Sequence, residues 1–204
     1  MKLWTIQNYC AYQRMLDTGK LVANEEYVFD KIFLEPVYDW LFKQMSRRIG
    51  PPNEEIKYPI WAWYQRNGKR KKPDMRQTGY ANKGEHIVRL TIEVPDTDVV
   101  LSDFDLYHYP LNYWYLPSNE EDEILAEKEY PEIGFNQNIK RELLKEPQKY
   151  PEFCEKMLNS WNRIFDFSLT DESLFYPMDK KTIQASMWSI NLKNVENVEH
   201  FVGR

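Results

Sequence analysis

Apolar and polar positions along this chain fall into stretches of strand and helix period. Residues 2–7, "KLWTIQ", read as a short strand. The "NYCAYQRMLDTGKL" that follows reads as a helix, because Tyr9, Tyr12, Met15 and Leu16 recur at helical spacing and Gly19 stands where helices commonly end. A second helix is predicted over 35–50, with Pro36 in its first turn, Arg47 and Arg48 in its last, and Gly50 closing it. Its apolar stripe is Val37, Trp40, Leu41 and Met45. Residues 59–65 and 86–94 are the clearest strands. In the second, Val88, Leu90, Ile92 and Val94 point one way and Arg89, Thr91 and Glu93 the other, the mark of a sheet with one buried face. A long polar loop with three glycines and a dense basic run separates them.

The second half opens with a short buried strand, "DVVL", leading into the aromatic run "LSDFDLYHYPLNYWYLP" at 101–117. There "SDFD" resembles a capping box, with Ser102 as the cap and Asp105 reaching back to its amide. Phe104, Tyr107, His108, Leu111 and Trp114 or Tyr115 then fall on one helical face, and Pro110 is expected to kink or divide the helix. Residues 119–134 form an acidic segment that reads as a short helix. The best helical pattern spans 150–167, begun by Pro151, with a stripe of Phe153, Cys154, Met157, Leu158, Trp161, Ile164 and Phe165. Residues 182–190 read as a strand, followed by a tight turn and a short terminal element. No repeat, low-complexity linker or shift of composition marks a boundary. The element order predicts a single α+β domain over 1–204, with a mainly antiparallel sheet and several packed helices.

Composition narrows the function classes. With 42% hydrophobic and 29% charged residues, the 204-residue chain is of globular type. A formal net charge of -5 argues against a general binder of phosphate backbones. Aromatics reach 15%, including 7 Trp and 14 Tyr, which suggests a core or cleft built from flat rings. No apolar run approaches a membrane span, and no cleavable signal pattern follows Lys2. The two cysteines, Cys10 and Cys154, are far apart and suggest neither a disulfide framework nor a zinc site. A cytoplasmic protein of bacterial type is the reading these features favour.

Candidate chemistry is sparse. His108 lies near Asp103 and Asp105, but Asp103 and His108 do not share a helical face and no second histidine is near. The expectation is therefore a core histidine bonded to a backbone carbonyl, with no metal. The basic run 68–76 is a conceivable phosphate or nucleic-acid contact, and more commonly such a run is a solvated face. Trp61 and Trp63 share one face of their strand, a stacking platform for a sugar or base unless helices cover it. Cys10 and Cys154 sit on apolar stripes and read as inert core thiols. No Ser/His/Asp spacing, P-loop, GxGxxG or HExxH occurs.

Two resemblances follow from the motifs. Through "LWTIQ", "PIWAWYQ" and "VLSDFDLYHYPLN", nearly the full chain resembles a bacterial family described as domain of unknown function 3841, which implies no activity. More remotely, both ends are similar to the ADP-ribosyltransferase fold, especially its DNA-modifying bacterial branch. Such domains open with an aromatic–His–x–Thr strand, a helix and G-x-L, matched here by "LWTIQ…LDTGKL"; they close with a Gln-Ala-Glu-hydrophobic strand and an apolar tail, matched by "IQASMWSINLKNVENVEHF". The resemblance places Thr5 at the nicotinamide-binding His, Gln7 at the Thr and Ser186 at the catalytic Glu, while Gln184 keeps the preceding polar position. By strand alternation Gln184, Ser186 and Trp188 share a face.

The resemblance implies an atypical or inactive relative that binds a nucleotide-like ligand, NAD among the candidates, in a cleft lined by Trp4, Thr5, Gln7, Trp61, Trp63, Gln184 and Ser186. The alternative is a protein-interaction module without a small-molecule site, acting through the 68–76 and 119–132 charge runs. An enzyme of another class, using Asp103, Asp105 or His108, ranks third.

Overall fold

The computed structural model describes residues 1–52, 56–77, 79–129, 137–169 and 171–203. Strand β1 (Lys2–Asn8) runs straight into helix α1 (Tyr9–Thr18), because the Asn8 side chain accepts the Ala11 amide at 2.7 Å. Gly19 ends the helix at φ 76°, a conformation that favours glycine. The buried positions of α1 are Ala11 and Met15, whereas Tyr9 and Leu16 of the predicted stripe are exposed. Small Ala11 lets the helix lie close on the sheet, and the Tyr9 ring instead meets His86 and His200 edge-on.

After β2 (Lys20–Val22) comes α2 (Glu35–Ile49), whose predicted stripe of Val37, Trp40, Leu41 and Met45 is buried throughout. Each such side chain contributes roughly 1.5–3 kcal/mol on leaving water, so the stripe outweighs either helix end in holding α2. Strands β3 (Ile60–Gln65) and β4 (His86–Glu93) match the predicted pair. Arg89, expected on a polar face, is buried all the same, paired with Glu199 at 2.6 Å and donating to the Pro73 carbonyl.

The aromatic run departs from its expected helix. Strand β5 (Val100–Asp103) absorbs Ser102, which is buried opposite Gln184 instead of capping a helix. Asp103 instead holds the turn that follows: its Oδ1 accepts the amides of Asp105 and Leu106 at 3.0 and 3.2 Å. Helical backbone is confined to α3 (His108–Leu111). The rings do enter the core, but through Tyr107 and Tyr113, while His108 and Trp114 are exposed.

Helix α4 (Glu120–Glu129) lies in the acidic segment, whose residues 130–134 are outside those described. Helix α5 (Gln137–Lys145) has no counterpart among the predicted elements. The 150–167 helix divides into α6 (Pro151–Ser160) and a 3-10 turn, Trp161–Phe165. At the division Ser160 Oγ accepts the Leu116 amide at 3.1 Å. The 182–190 strand also divides, into β6 (Ile183–Met187) and β7 (Ser189–Asn191), with Trp188 between them donating its indole N–H to the Gly50 carbonyl at 2.8 Å. The terminal element is a full edge strand, β8 (Val195–Val202).

Among the described residues the main sheet has six strands in the order β5-β6-β3-β1-β4-β8, each pair antiparallel, and β2 with β7 forms a second, antiparallel pair. This is the predicted α+β class with an antiparallel sheet. One sheet face carries Leu3, Ile60, Ala62, Val88, Leu90 and Ile92 against α1 and the small sheet. On the opposite face, α2, α6 and the 3-10 turn pack with Val100 and Tyr107. Toward β1 and β4 that same face carries Trp4 beneath the Arg70 guanidinium, 5.5 Å from its ring.

Candidate functional site

Strand β1 pairs with β4 over its whole length, from Lys2↔Glu93 to Asn8↔Ile87. Its register with β3 is a single pair among the described residues, Trp4↔Trp63. Beyond that rung the sheet forks: Ile6, Gln7 and Asn8 stay with β4, while Ile60 and Trp61 go with β6. Backbone groups freed by a fork need other partners. Thr5 Oγ1 donates to the Trp61 carbonyl at 2.7 Å, and Gln7 Nε2 donates to Thr5 Oγ1 at 2.7 Å. Side chains thus take over where the backbone ladder stops.

A cleft of about 300 Å³ opens in this fork. Gln7, Asn8 and Arg14 line it from β1 and α1, and Asn24 and Phe29 from the segment before α2. Tyr38, Tyr58 and Trp61 complete an aromatic wall. The Tyr38 and Tyr58 rings meet edge-to-face, with centroids 5.2 Å apart at 90°, and Tyr38 OH donates to the Phe29 carbonyl at 3.2 Å. Burial, then the neighbouring Tyr58 and Asp30, pushes the Tyr38 phenol up to about 12. Burial and then Glu25 raise Tyr58 as well. Both rings are therefore neutral near pH 7. The Gln7 amide oxygen has no partner among the described residues. Flat rings beside an amide suit a planar heteroaromatic group with polar edges.

Of the seven residues singled out from the sequence, Gln7 and Trp61 line the cleft. Thr5 is fully buried just behind it. The other four lie elsewhere. Trp4, Trp63, Gln184 and Ser102 form one row across four strands. Trp63 is covered by Phe104, 5.1 Å away, and by the Arg66 guanidinium at 5.0 Å. Ser186 is paired with Trp61 and fully buried, its Oγ donating to the Val100 carbonyl at 3.4 Å. Alternation from Trp4↔Trp63 puts Thr5 and Gln7 on one sheet face and Gln184 and Ser186 on the other. Trp61 packs against Tyr107 at 5.2 Å, and the buried Tyr107 hydroxyl has no partner among the described residues.

Sequence reasoning missed Tyr38, Tyr58, Phe29, Asn24 and Arg14. The available signal was modest: Tyr38 is a large ring beside the α2 stripe, and Tyr58 lies two residues before Ile60, where β3 begins.

The remaining candidates are held in the structure. His108 is exposed rather than core, and its Nδ1 lies 3.1 Å from the carbonyls of Phe104 and Asp105. Asp103 Oδ2 is bonded to Lys181 Nζ at 2.7 Å. In the basic run, Arg70 lies 3.7 Å over the Tyr64 ring, Lys72 pairs with Glu199 at 2.9 Å, and Arg76 with Asp74 at 2.6 Å. On the acidic segment, Asp122 accepts from Tyr115 OH and from the Ser118 amide. Cys154 is the buried thiol expected, held up in pKa by burial, but Cys10 is exposed because it lies off the Ala11–Met15 face. No described helix is long and apolar enough to cross a membrane.

The family model described as a domain of unknown function (DUF3841) matches residues 2–196, and the chain belongs to that family. Searches of curated proteins and of solved structures give no match.

Proposed function

We propose that the fork between β1 and β3 binds a nucleotide-like ligand, as a remote and atypical relative of ADP-ribosyltransferases would. The observation carrying this reading is the cleft itself: strands of one antiparallel sheet part after a single rung and leave about 300 Å³ walled by Tyr38, Tyr58 and Trp61 and edged by Gln7. The strand with the opening motif and the strand with the closing motif lie in that sheet, separated by β3 alone. Arg14 lines the same cleft, where a guanidinium suits the phosphates of a nucleotide. At the position the resemblance gives to a catalytic glutamate stands Ser186, buried and bonded to backbone. A hydroxyl there supplies no negative charge for an oxocarbenium-like transition state, so the proposal is binding rather than the transfer typical of ADP-ribosyltransferases.

Calorimetric titration with NAD, ADP-ribose and AMP tests it. Saturable binding lost in Trp61→Ala and weakened in Gln7→Ala supports the fork as the site. Binding unaltered in both variants contradicts it.

A protein-interaction role is the second reading. Phe29 and Ile32, 79% and 73% exposed, stand on the segment that walls the cleft. If none of the three nucleotides binds, this reading moves to first place.

A further inference from the structure

The lining of the cleft is chemically mixed: Tyr38 and Tyr58 bring touching aromatic rings, whereas Gln7 and Arg14 bring an amide and a guanidinium. The two phenol rings stand perpendicular with centroids 5.2 Å apart, and Trp61 and Phe29 line the same cleft. Aromatic faces carry partial negative charge, and several converging rings attract a cation that is weakly hydrated. Ordinary ammonium groups lose too much hydration in such a place, whereas a charge spread over methyl groups or a ring loses little.

Most of the charges that act on the two phenols push in the same sense. After burial, which is the largest cause at both rings, Glu25, Asp39 and Glu35 act on the Tyr58 phenol and Asp30 on Tyr38, each making ionisation harder. A field that opposes a phenolate favours a positive charge at the same place. Lys31 opposes this field at Tyr58, but is paired with Glu25 at 3.3 Å. Lys145 pairs with Glu35 at 3.3 Å. Arg14 lines the cleft from α1.

We propose that the Tyr38–Tyr58 corner is a box for an organic cation whose charge is spread over carbon, a quaternary ammonium or an N-alkylated aromatic ring. The inference rests on the cleft being a small-molecule site and adds the charge of the group that meets these two rings.

The test compares cations with neutral molecules of the same shape on the full chain. 1-Methylnicotinamide is titrated against nicotinamide, and choline against 3,3-dimethylbutanol, with binding followed by calorimetry. The expected result is a preference of roughly tenfold for the cation in at least one pair, retained in Tyr58→Phe and lost in Tyr58→Leu. Which pair shows the preference identifies the ring or the ammonium as the cationic group. Equal affinity within both pairs, no binding of either cation, or a preference that survives Tyr58→Leu overturns the proposal. The outcome is separable from that of the nucleotide titration. ADP-ribose binding without cation preference leaves the nucleotide reading standing and removes the box; cation binding without ADP-ribose binding does the reverse.

Discussion

Thr5 Oγ1 donates to the carbonyl oxygen of Trp61 at 2.7 Å, across the point where β1 and β3 part. The bond uses a side chain to satisfy a backbone acceptor that a continuous ladder would have paired with an amide. It also makes Thr5 an acceptor for Gln7, so one hydroxyl ties the strand edge to a residue of the cleft wall. Thr5→Val keeps the shape and removes both bonds. Equilibrium urea unfolding is expected to show a loss of about 1–3 kcal/mol, recovered in Thr5→Ser. A neutral Thr5→Val would mean that the fork does not depend on this hydroxyl.

Lys181 and Asp103 form the most deeply buried ion pair described, at 2.7 Å with side chains 1% and 3% exposed. Asp103→Ala leaves a buried ammonium uncompensated and should cost roughly 3–5 kcal/mol. Asp103→Leu combined with Lys181→Met removes both charges and should be far less destabilising than the single change. The same denaturation series separates roles for Asp103: the fold predicts a large loss of stability, whereas a catalytic carboxylate predicts little.

The Tyr107 hydroxyl is buried behind Trp61 without a partner among the described residues. An unpaired buried hydroxyl is destabilising, so Tyr107→Phe should raise stability by up to about 1 kcal/mol. A fall in the thermal midpoint would show that the hydroxyl is bonded in solution.

Stability should decline in alkali. In the unfolded chain Tyr38 ionises near its ordinary 10, while in the folded chain it is pushed up to about 12, mainly by burial. Between those values the folded state holds a proton that the unfolded state has lost. Its contribution is thus complete below about pH 10 and disappears as pH rises through about 12. The slope is at most about 1.4 kcal/mol per pH unit for one tyrosine, and smaller for a ring that water partly reaches. Tyr107 and Tyr113 are also raised by burial and act in the same direction. Urea midpoints measured on either side of pH 10 should fall with pH, less steeply in Tyr38→Phe. A flat profile contradicts the burial of these phenols.

How much of this was legible in the sequence depends on whether a local pattern or a distant partner decides each element. The stripe Val37, Trp40, Leu41 and Met45 placed α2 because burial on one helical face is a local signal. Alternation placed β4 for the same reason. Ser102 was misleading because its spacing to Asp105 fits a cap, yet pairing with Gln184, far along the chain, holds it in a strand. Helix α5 escaped notice because its sequence, "QNIKRELLK", offers few apolar positions and its buried member is Lys140. Strand β8 reads weakly because its partly buried apolar residues Val195, Val198 and Phe201 recur every third residue, interrupted by the register shift at Thr91/Ile92. At the site, Gln7 followed from the motif resemblance and Trp61 from strand alternation. Tyr38 and Tyr58 were not, since the fork exists only through the registers that β1 and β3 take with other strands.

Backbone chemical-shift mapping shows directly whether the β1–β3 fork is the ligand site. Isotope-labelled protein titrated with ADP-ribose should show its largest amide shifts at Ile6, Gln7, Asn8, Tyr58, Ile60 and Trp61. Shifts concentrated instead around Trp63, Phe104 and Gln184, or absent throughout at saturating ligand, would contradict that placement.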